Sequence, residues 1–288
     1  MLRIVLVTHE LQVATRTVRQ VWFLGGTAFA LRAEGAPSLV AARRSVRTSS
    51  AGKPRGTDMP ALSDLADDER TARMVLSMLV EPNDRVTGRL LARLGAVGTL
   101  WLAEHDSAVV GLSAVDAQVW RGHFDVPAVK DIASRLDQIH QSGVRALIPG
   151  DADWPAALDD LGVGAPYVLW ARGASSFLAR PVQDFITITR SRASTSYGDH
   201  VARELAASVA ADERVVVAGG AYGIDGAVHQ AALAAGGDTI AILANGVDRP
   251  YPAGHRDLLE RVADAGLLVS EVPPGTLPTR IGSSLARG

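Results

Sequence analysis

From residue 215 to residue 229 the chain reads Val-Val-Val-Ala-Gly-Gly-Ala-Tyr-Gly-Ile-Asp-Gly-Ala-Val-His. A β-branched run stops at Gly219 and Gly220, a third glycine follows at Gly223, and an alanine-rich amphipathic stretch begins. This pattern predicts a strand, a tight turn and a helix start. Glycines carry no Cβ, so a ligand can approach their backbone closely. The N–H groups at a helix start then suit a phosphate, which belongs either to a nucleotide or to a nucleic-acid backbone. The turn departs from the dinucleotide fingerprint G-x-G-x-x-G, and no Walker lysine follows it. Asp225 is expected to cap the helix. His229 lies four residues further on and can share its face; it is read as a packed, hydrogen-bonded histidine, with a catalytic Asp225–His229 pair as the alternative.

The elements around this turn decide where it points. Phe185–Thr189 reads as a strand, Val201, Leu205 and Val209 mark a helix face, and 215–217 is a strand. Residues 224–235 form a helix closed by Gly236-Gly237, 239–243 a strand, 258–265 a helix ended by Gly266, and 267–269 a strand. Two more apolar runs, 144–148 and 167–170, precede them. Strand–helix alternation at this spacing implies right-handed crossovers and a parallel sheet. The expected fold is a Rossmann-like α/β sheet with helices on both faces. Loops leaving the carboxyl ends of such strands meet on one edge. They are Arg190-Ser191-Arg192 leading to Gly198, the glycine turn, Asn245 to Pro252, and Ser270-Glu271. Arg192, the Gly219–Gly223 backbone and Asn245 are therefore expected to line one anion-binding cleft, since a planar guanidinium suits phosphate oxygens. Ser270-Glu271 lacks a nucleophile elbow. The seven histidines are scattered, and no metal or cofactor is expected.

Ahead of the α/β region the periodicity is helical. Met74, Leu76, Met78 and Leu79 lie in one segment, and Val86, Leu90, Leu91 and Leu94 in the next. Leu94-Gly95-Ala96-Val97-Gly98 matches a helix–hairpin–helix turn, which either offers N–H groups to DNA phosphates or simply packs two helices. Residues 112–120 and 129–142 read as further helices. The expected organisation is a poorly ordered basic extension over 1–58, a small helical domain over 62–142, and the Rossmann-like domain over 143–288. The extension opens with a strand-like run at 4–7 and ends in a basic tract at 43–56. A start at Met59, with the upstream residues added by a misassigned start, is one explanation of it.

Charge and composition narrow the classes. The chain has 288 residues and no cysteine, so disulfides and thiolate chemistry are absent and a reducing cytoplasm fits. No apolar run reaches the roughly 18 residues of a membrane span. Residues 1–58 hold nine Lys/Arg against three Asp/Glu, which leaves twenty against twenty-eight for the rest. Nucleic-acid affinity of the main body must come from a local patch.

Taken together, the loops resemble the DNA-processing protein A family (DprA, also called Smf). They do so in order: Ser191-Arg192-Ala193-Ser194-Thr195-Ser196-Tyr197-Gly198, then Gly219-Gly220-Ala221-Tyr222-Gly223-Ile224-Asp225 with His229, Ala232 and Leu233. Gly236-Gly237-Asp238-Thr239-Ile240-Ala241-Ile242-Leu243, Gly246-Val247-Asp248-Arg249-Pro250-Tyr251-Pro252 and Leu267-Leu268-Val269-Ser270-Glu271-Val272-Pro273-Pro274-Gly275 follow. The resemblance covers about 154–278, and the helical region is similar to the family's sterile-alpha-motif-like domain. It implies a non-enzymatic, cytoplasmic, dimeric protein that binds single-stranded DNA, protects it during natural transformation in competent cells, and helps load the RecA recombinase. It implies phosphate contacts from Ser191 and Arg192, with Arg190 adding charge where the family has glycine. It also implies backbone donors from Gly219, Gly220, Ala221 and Gly223, and stacking by Tyr222. Ala218 stands where the family has serine. The family continues into an F-x-x-R-N-R segment, whereas this chain reads Ser284-Leu285-Ala286-Arg287-Gly288, so a C-terminally truncated member is expected. Two alternatives stay open: a nucleotide-processing enzyme of phosphoribohydrolase type using Glu271 or Asp225, and an inactive remnant.

Overall fold

The computed structural model describes residues 62–81, 84–124, 129–189 and 192–277, together with the backbone of four short strands ahead of them. Those strands are β1 (Leu2–Val7), β2 (Val13–Val18), β3 (Trp22–Leu24) and β4 (Ala28–Ala30). The basic tract at 43–56, Met59, Arg190, Ser191 and residues 284–288 lie outside the described residues.

Four helices come next: α1 (Glu69–Leu79), α2 (Arg85–Glu104), α3 (Ala114–Gly122) and α4 (Val129–Gln141). Polar side chains start the first three. Asp68 accepts from the Arg70 and Thr71 N–H groups, Asp84 from Thr87, and Ser113 from Asp116, each satisfying a donor the helix cannot. α2 is broken at Gly95, where φ is 71° and ψ 179°. This is the hairpin expected at 94–98, and its packing role is the one realised. The Ala96 N–H donates to Glu69 Oε2 at 2.7 Å, and Glu69 also pairs with Arg73 at 2.7 Å. A carboxylate occupies the place a DNA phosphate would need.

The α/β part runs β5 (Arg145–Leu147), β6 (Leu169–Gly173), β7 (Phe185–Thr189), α5 (Ser196–Ala211), β8 (Val215–Gly219), α6 (Ile224–Ala234), β9 (Thr239–Ile242), α7 (Arg256–Ala265) and β10 (Leu267–Ser270). Strand order is β2-β1-β7-β8-β9-β10-β6-β5. β1, β7, β8, β9 and β10 are parallel, while β6 lies antiparallel to β10, β5 antiparallel to β6, and β2 antiparallel to β1. The sheet is thus mixed at its edges and parallel at its centre.

Alternation along the strands sorts the core into two faces. Val216 and Ala218 of β8 pack with Ala202, Ala206, Ile224 and Val228 of α5 and α6. Ala218 is in register with Ala241, and Ala241 with Leu268. Those two residues pack with Leu259 and Val262 of α7 and with the four N-terminal helices. Val215, Val217, Ile240, Leu267 and Val269 face the other way and meet Trp154, Leu158, Leu161, Phe177 and Leu178. The last four lie in 3₁₀ turns, Ala156–Gly164 and Ser175–Ala179. The α/β class is as expected; among the described residues the α-helices gather on one face and the 3₁₀ helices cover the other. The reason is topological. β7, β8, β9 and β10 follow one another across the sheet without reversal, and right-handed crossovers made in one direction all fall on one side.

The helical layer and the sheet share a single apolar core. Polar ties close its rim. Arg70 makes two 2.7 Å bonds to Asp151, Arg73 donates to the Tyr167 carbonyl at 3.1 Å, and Arg135 donates to the Pro274 carbonyl at 3.2 Å.

Candidate nucleic-acid interface

The turn after β8 is held from below. His229, in the third position beyond Gly226 on α6, is 1% exposed. Its Nε2 lies 2.9 Å from the Gly219 carbonyl and its Nδ1 2.8 Å from Thr239 Oγ1 on β9. Burial pulls its pKa down to about 4, against the opposing pull of the Gly219 bond. The ring is therefore neutral at pH 7. A carbonyl can only accept, so Nε2 carries the proton and Nδ1 is left as an acceptor facing the Thr239 hydroxyl, whose single proton is shared between it and the Val216 carbonyl at 3.1 Å. Both ring nitrogens are occupied by groups other than Asp225, and the alternative of a catalytic Asp225–His229 pair is not formed.

Gly223 (φ 80°, ψ −130°) takes the N-cap position of α6, with no side-chain cap bond. A positive φ favours glycine there, so the expected capping role of Asp225 is not realised. Asp225 falls inside the first turn, is buried, and accepts the Thr189 hydroxyl at 2.9 Å. That bond joins the end of β7 to the start of α6. The loop that follows Thr189 carries Arg192, whose side chain is exposed. α5 then begins under its own cap, Thr195 accepting the Gly198 N–H at 3.1 Å. The α6 start differs in having no such side chain.

The turn itself divides. Gly219 and Gly220 are buried, whereas Ala221, Tyr222 and Gly223 reach the surface. The expected backbone contacts from Gly219 and Gly220 are corrected by their burial, which takes their N–H groups away from the surface; their carbonyls face His229 Nε2 and His255 Nδ1, at 2.9 and 3.2 Å. Asn245 is corrected too. It is 2% exposed, and its amide donates to the Gly246 carbonyl at 3.0 Å and the Arg249 carbonyl at 2.5 Å. It shapes its loop and offers no donor to an anion. Of the expected site residues, Arg192, Ala221, Tyr222 and Gly223 are the ones that reach the surface.

Comparison with known proteins follows this geometry. A model of the DNA recombination-mediator protein A family matches residues 145–283. Over those residues the chain resembles that family. Within it, a Mycobacterium tuberculosis protein described as a DNA processing protein DprA is 45% identical over 158 residues, covering 51% of this chain and 40% of that protein. The DNA processing protein DprA of Bacillus subtilis is 36% identical over 145 residues, covering 50% and 48%. The matched segments thus span under half of these relatives. The crystal structure of DNA processing protein A from Streptococcus pneumoniae shares the fold with a TM-score of 0.56 at 21% identity, over 78% of this chain and 72% of that one.

Three residues in or beside these loops acquire meaning only in three dimensions. His255, which sequence reasoning passed over, packs its ring where a Cβ on Gly226 would sit 2.4 Å from its Cε1. Its ring also meets Tyr222 edge-on at 4.7 Å. Arg249 adds a second exposed cation at the rim, 3.8 Å from Asp248. At the end of β10, Glu271 has one carboxylate oxygen sealed from solvent with no hydrogen-bond partner. Burial pushes its pKa up to about 7. Among the described residues no helix is long and apolar enough to cross a membrane.

Two predictions follow from these contacts. Gly226→Ala should drive His255 off the Gly220 carbonyl and release Tyr222, destabilising the fold by about 1–3 kcal/mol as overpacking does; denaturant unfolding measures it. Glu271 has a higher pKa folded than unfolded, so its contribution is complete below about pH 4.5 and is lost as pH rises through about 7. The stability of Glu271→Gln relative to the wild type should therefore climb between those two values, and a difference independent of pH would refute the assignment.

Proposed function

We propose that the carboxyl edge of the parallel sheet binds single-stranded DNA, chiefly through its phosphates, with Arg192 and the 221–223 backbone as the contacts. Arg190 and Ser191 belong to the same loop and complete the phosphate-binding set. The protein acts as a recombination mediator and not as an enzyme. It protects incoming strands during natural transformation and helps load the RecA recombinase, working in the cytoplasm as a homodimer. One observation carries this reading. The Thr189–Asp225 bond ties the end of β7, just ahead of the arginine segment in the chain, to the start of a helix whose N-cap residue makes no side-chain cap bond. Helix starts attract anions through oriented N–H groups and the helix dipole, and a neighbouring guanidinium adds a full charge. The family description, DNA recombination mediation, supplies the chemical context.

A second reading has a specific observation behind it. Glu271 is a carboxyl with a pKa near neutrality at the same edge of the sheet, the property expected of a general acid or base in glycosidic cleavage of a nucleotide. Release of free base from nucleoside monophosphates, abolished by Glu271→Gln, separates that reading from the first.

Phosphate binding releases counterions, so affinity for a single strand should fall linearly on a log–log plot against salt. Arg192→Ala should weaken binding to all sequences alike and flatten that plot by about 0.7, the share of one phosphate on single-stranded DNA. Fluorescence anisotropy across a salt series measures both, and an unchanged slope would sink the contact.

A further inference from the structure

The chain contains four tyrosines. Tyr167 is buried, and its hydroxyl donates to the Glu81 carbonyl at 3.2 Å. The other three, Tyr197, Tyr222 and Tyr251, are 61%, 49% and 55% exposed. Tyr222 and Tyr251 stand in the connections from β8 to α6 and from β9 to α7, and Tyr197 is the second residue of α5, just after the connection from β7. Among the described residues the only other strongly exposed aromatic side chain is Trp101, in the helical layer. Exposed aromatic surface is thus concentrated on the one edge assigned above to DNA.

The three positions are tied to the same turn. The Tyr222 hydroxyl accepts the Gly254 N–H at 3.2 Å, and its ring rests edge-on against His255. The Tyr251 carbonyl stands 3.3 Å from where a Cβ on Gly220 would sit. Gly198, next to Tyr197, has the Ile224 side chain at 3.7 Å from the equivalent point, which puts the start of α5 beside the start of α6. β7, β8 and β9 are adjacent parallel strands, so their ends span about 10 Å. Three positions across that width are two intervals of about 5 Å each, so each ring serves a different base of one strand.

Building on the single-strand reading, we propose that Tyr197, Tyr222 and Tyr251 form a three-position stacking platform for unpaired bases. Phosphates would lie toward Arg192 and the 221–223 turn while bases stack on the rings. Every base has a π face, so the platform is tolerant of sequence. Duplex bases are already stacked on one another, so it selects single strands.

The test uses the full chain, an oligothymidylate of about 20 nucleotides, and a strand of equal length lacking bases. Binding is followed by anisotropy over a salt series. Each Tyr→Leu change should weaken oligothymidylate binding by about fivefold or more, and the triple Leu variant by about a hundredfold or more, the scale of lost base stacking. The salt slope should stay at the wild-type value, because the phosphate contacts remain. The triple Tyr→Phe variant keeps the rings and should bind within about twofold of the wild type. On the abasic strand the wild type and the triple Leu variant should bind equally. A triple Leu variant that melts like the wild type yet keeps its oligothymidylate affinity overturns the platform, as does an equal loss on the abasic strand. In those cases salt-dependent binding by the wild type leaves the phosphate reading standing. A wild type that binds neither strand removes both.

Discussion

A buried, neutral imidazole locks the rim together. His229 reaches from α6 to the last carbonyl of β8 on one side and to the first residue of β9 on the other. It does so because burial keeps it uncharged, leaving one donor and one acceptor. A carbonyl and a hydroxyl are the partners that satisfy both. With β8, β9 and α6 pinned at that point, the turn between Gly219 and Ile224 has little freedom, and Gly223 absorbs the change of direction with a positive φ. The same group that looks like chemistry in the sequence is therefore what builds the platform on which binding can occur.

From that anchor the edge of the sheet is layered. Gly219, Gly220 and Asn245 form a buried tier, the two glycine carbonyls facing histidine nitrogens and the Asn245 amide donating to the Gly246 and Arg249 carbonyls. Arg192, Ala221, Tyr222 and Gly223 form the tier above it, open to solvent. Asp225 sits between the tiers and is turned toward Thr189, which keeps its charge low in the structure and away from the outer surface.

The helical layer contributes to this arrangement by covering the sheet face beneath α7. It shares the apolar core with β9 and β10, and Arg135 of α4 reaches the loop after β10. Its hairpin at Gly95 is closed by Glu69, which takes up the Ala96 N–H.

Local residue types by themselves determined that the chain alternates strands and helices after residue 180, that a glycine turn follows Val217 and Ala218, and that the loops bearing Arg192, Tyr222 and Tyr251 share one edge. Those properties depend on periodicity and on the handedness of crossovers, both of which act over short stretches of chain. The ordered loop motifs also carried the family resemblance. Which turn residues are open, and which are sealed, was decided only by tertiary contacts. Asn245 looks like a surface donor until Arg249 folds back over it, and Asp225 looks like a cap until Gly223 takes that place. The gathering of α5, α6 and α7 on one face depends on strand order, which no local pattern encodes, because two opposite orders use the same strands and helices. The role of His255 depends on a contact with Gly226, 29 residues earlier in the chain, and such a pairing exists only once the sheet has formed.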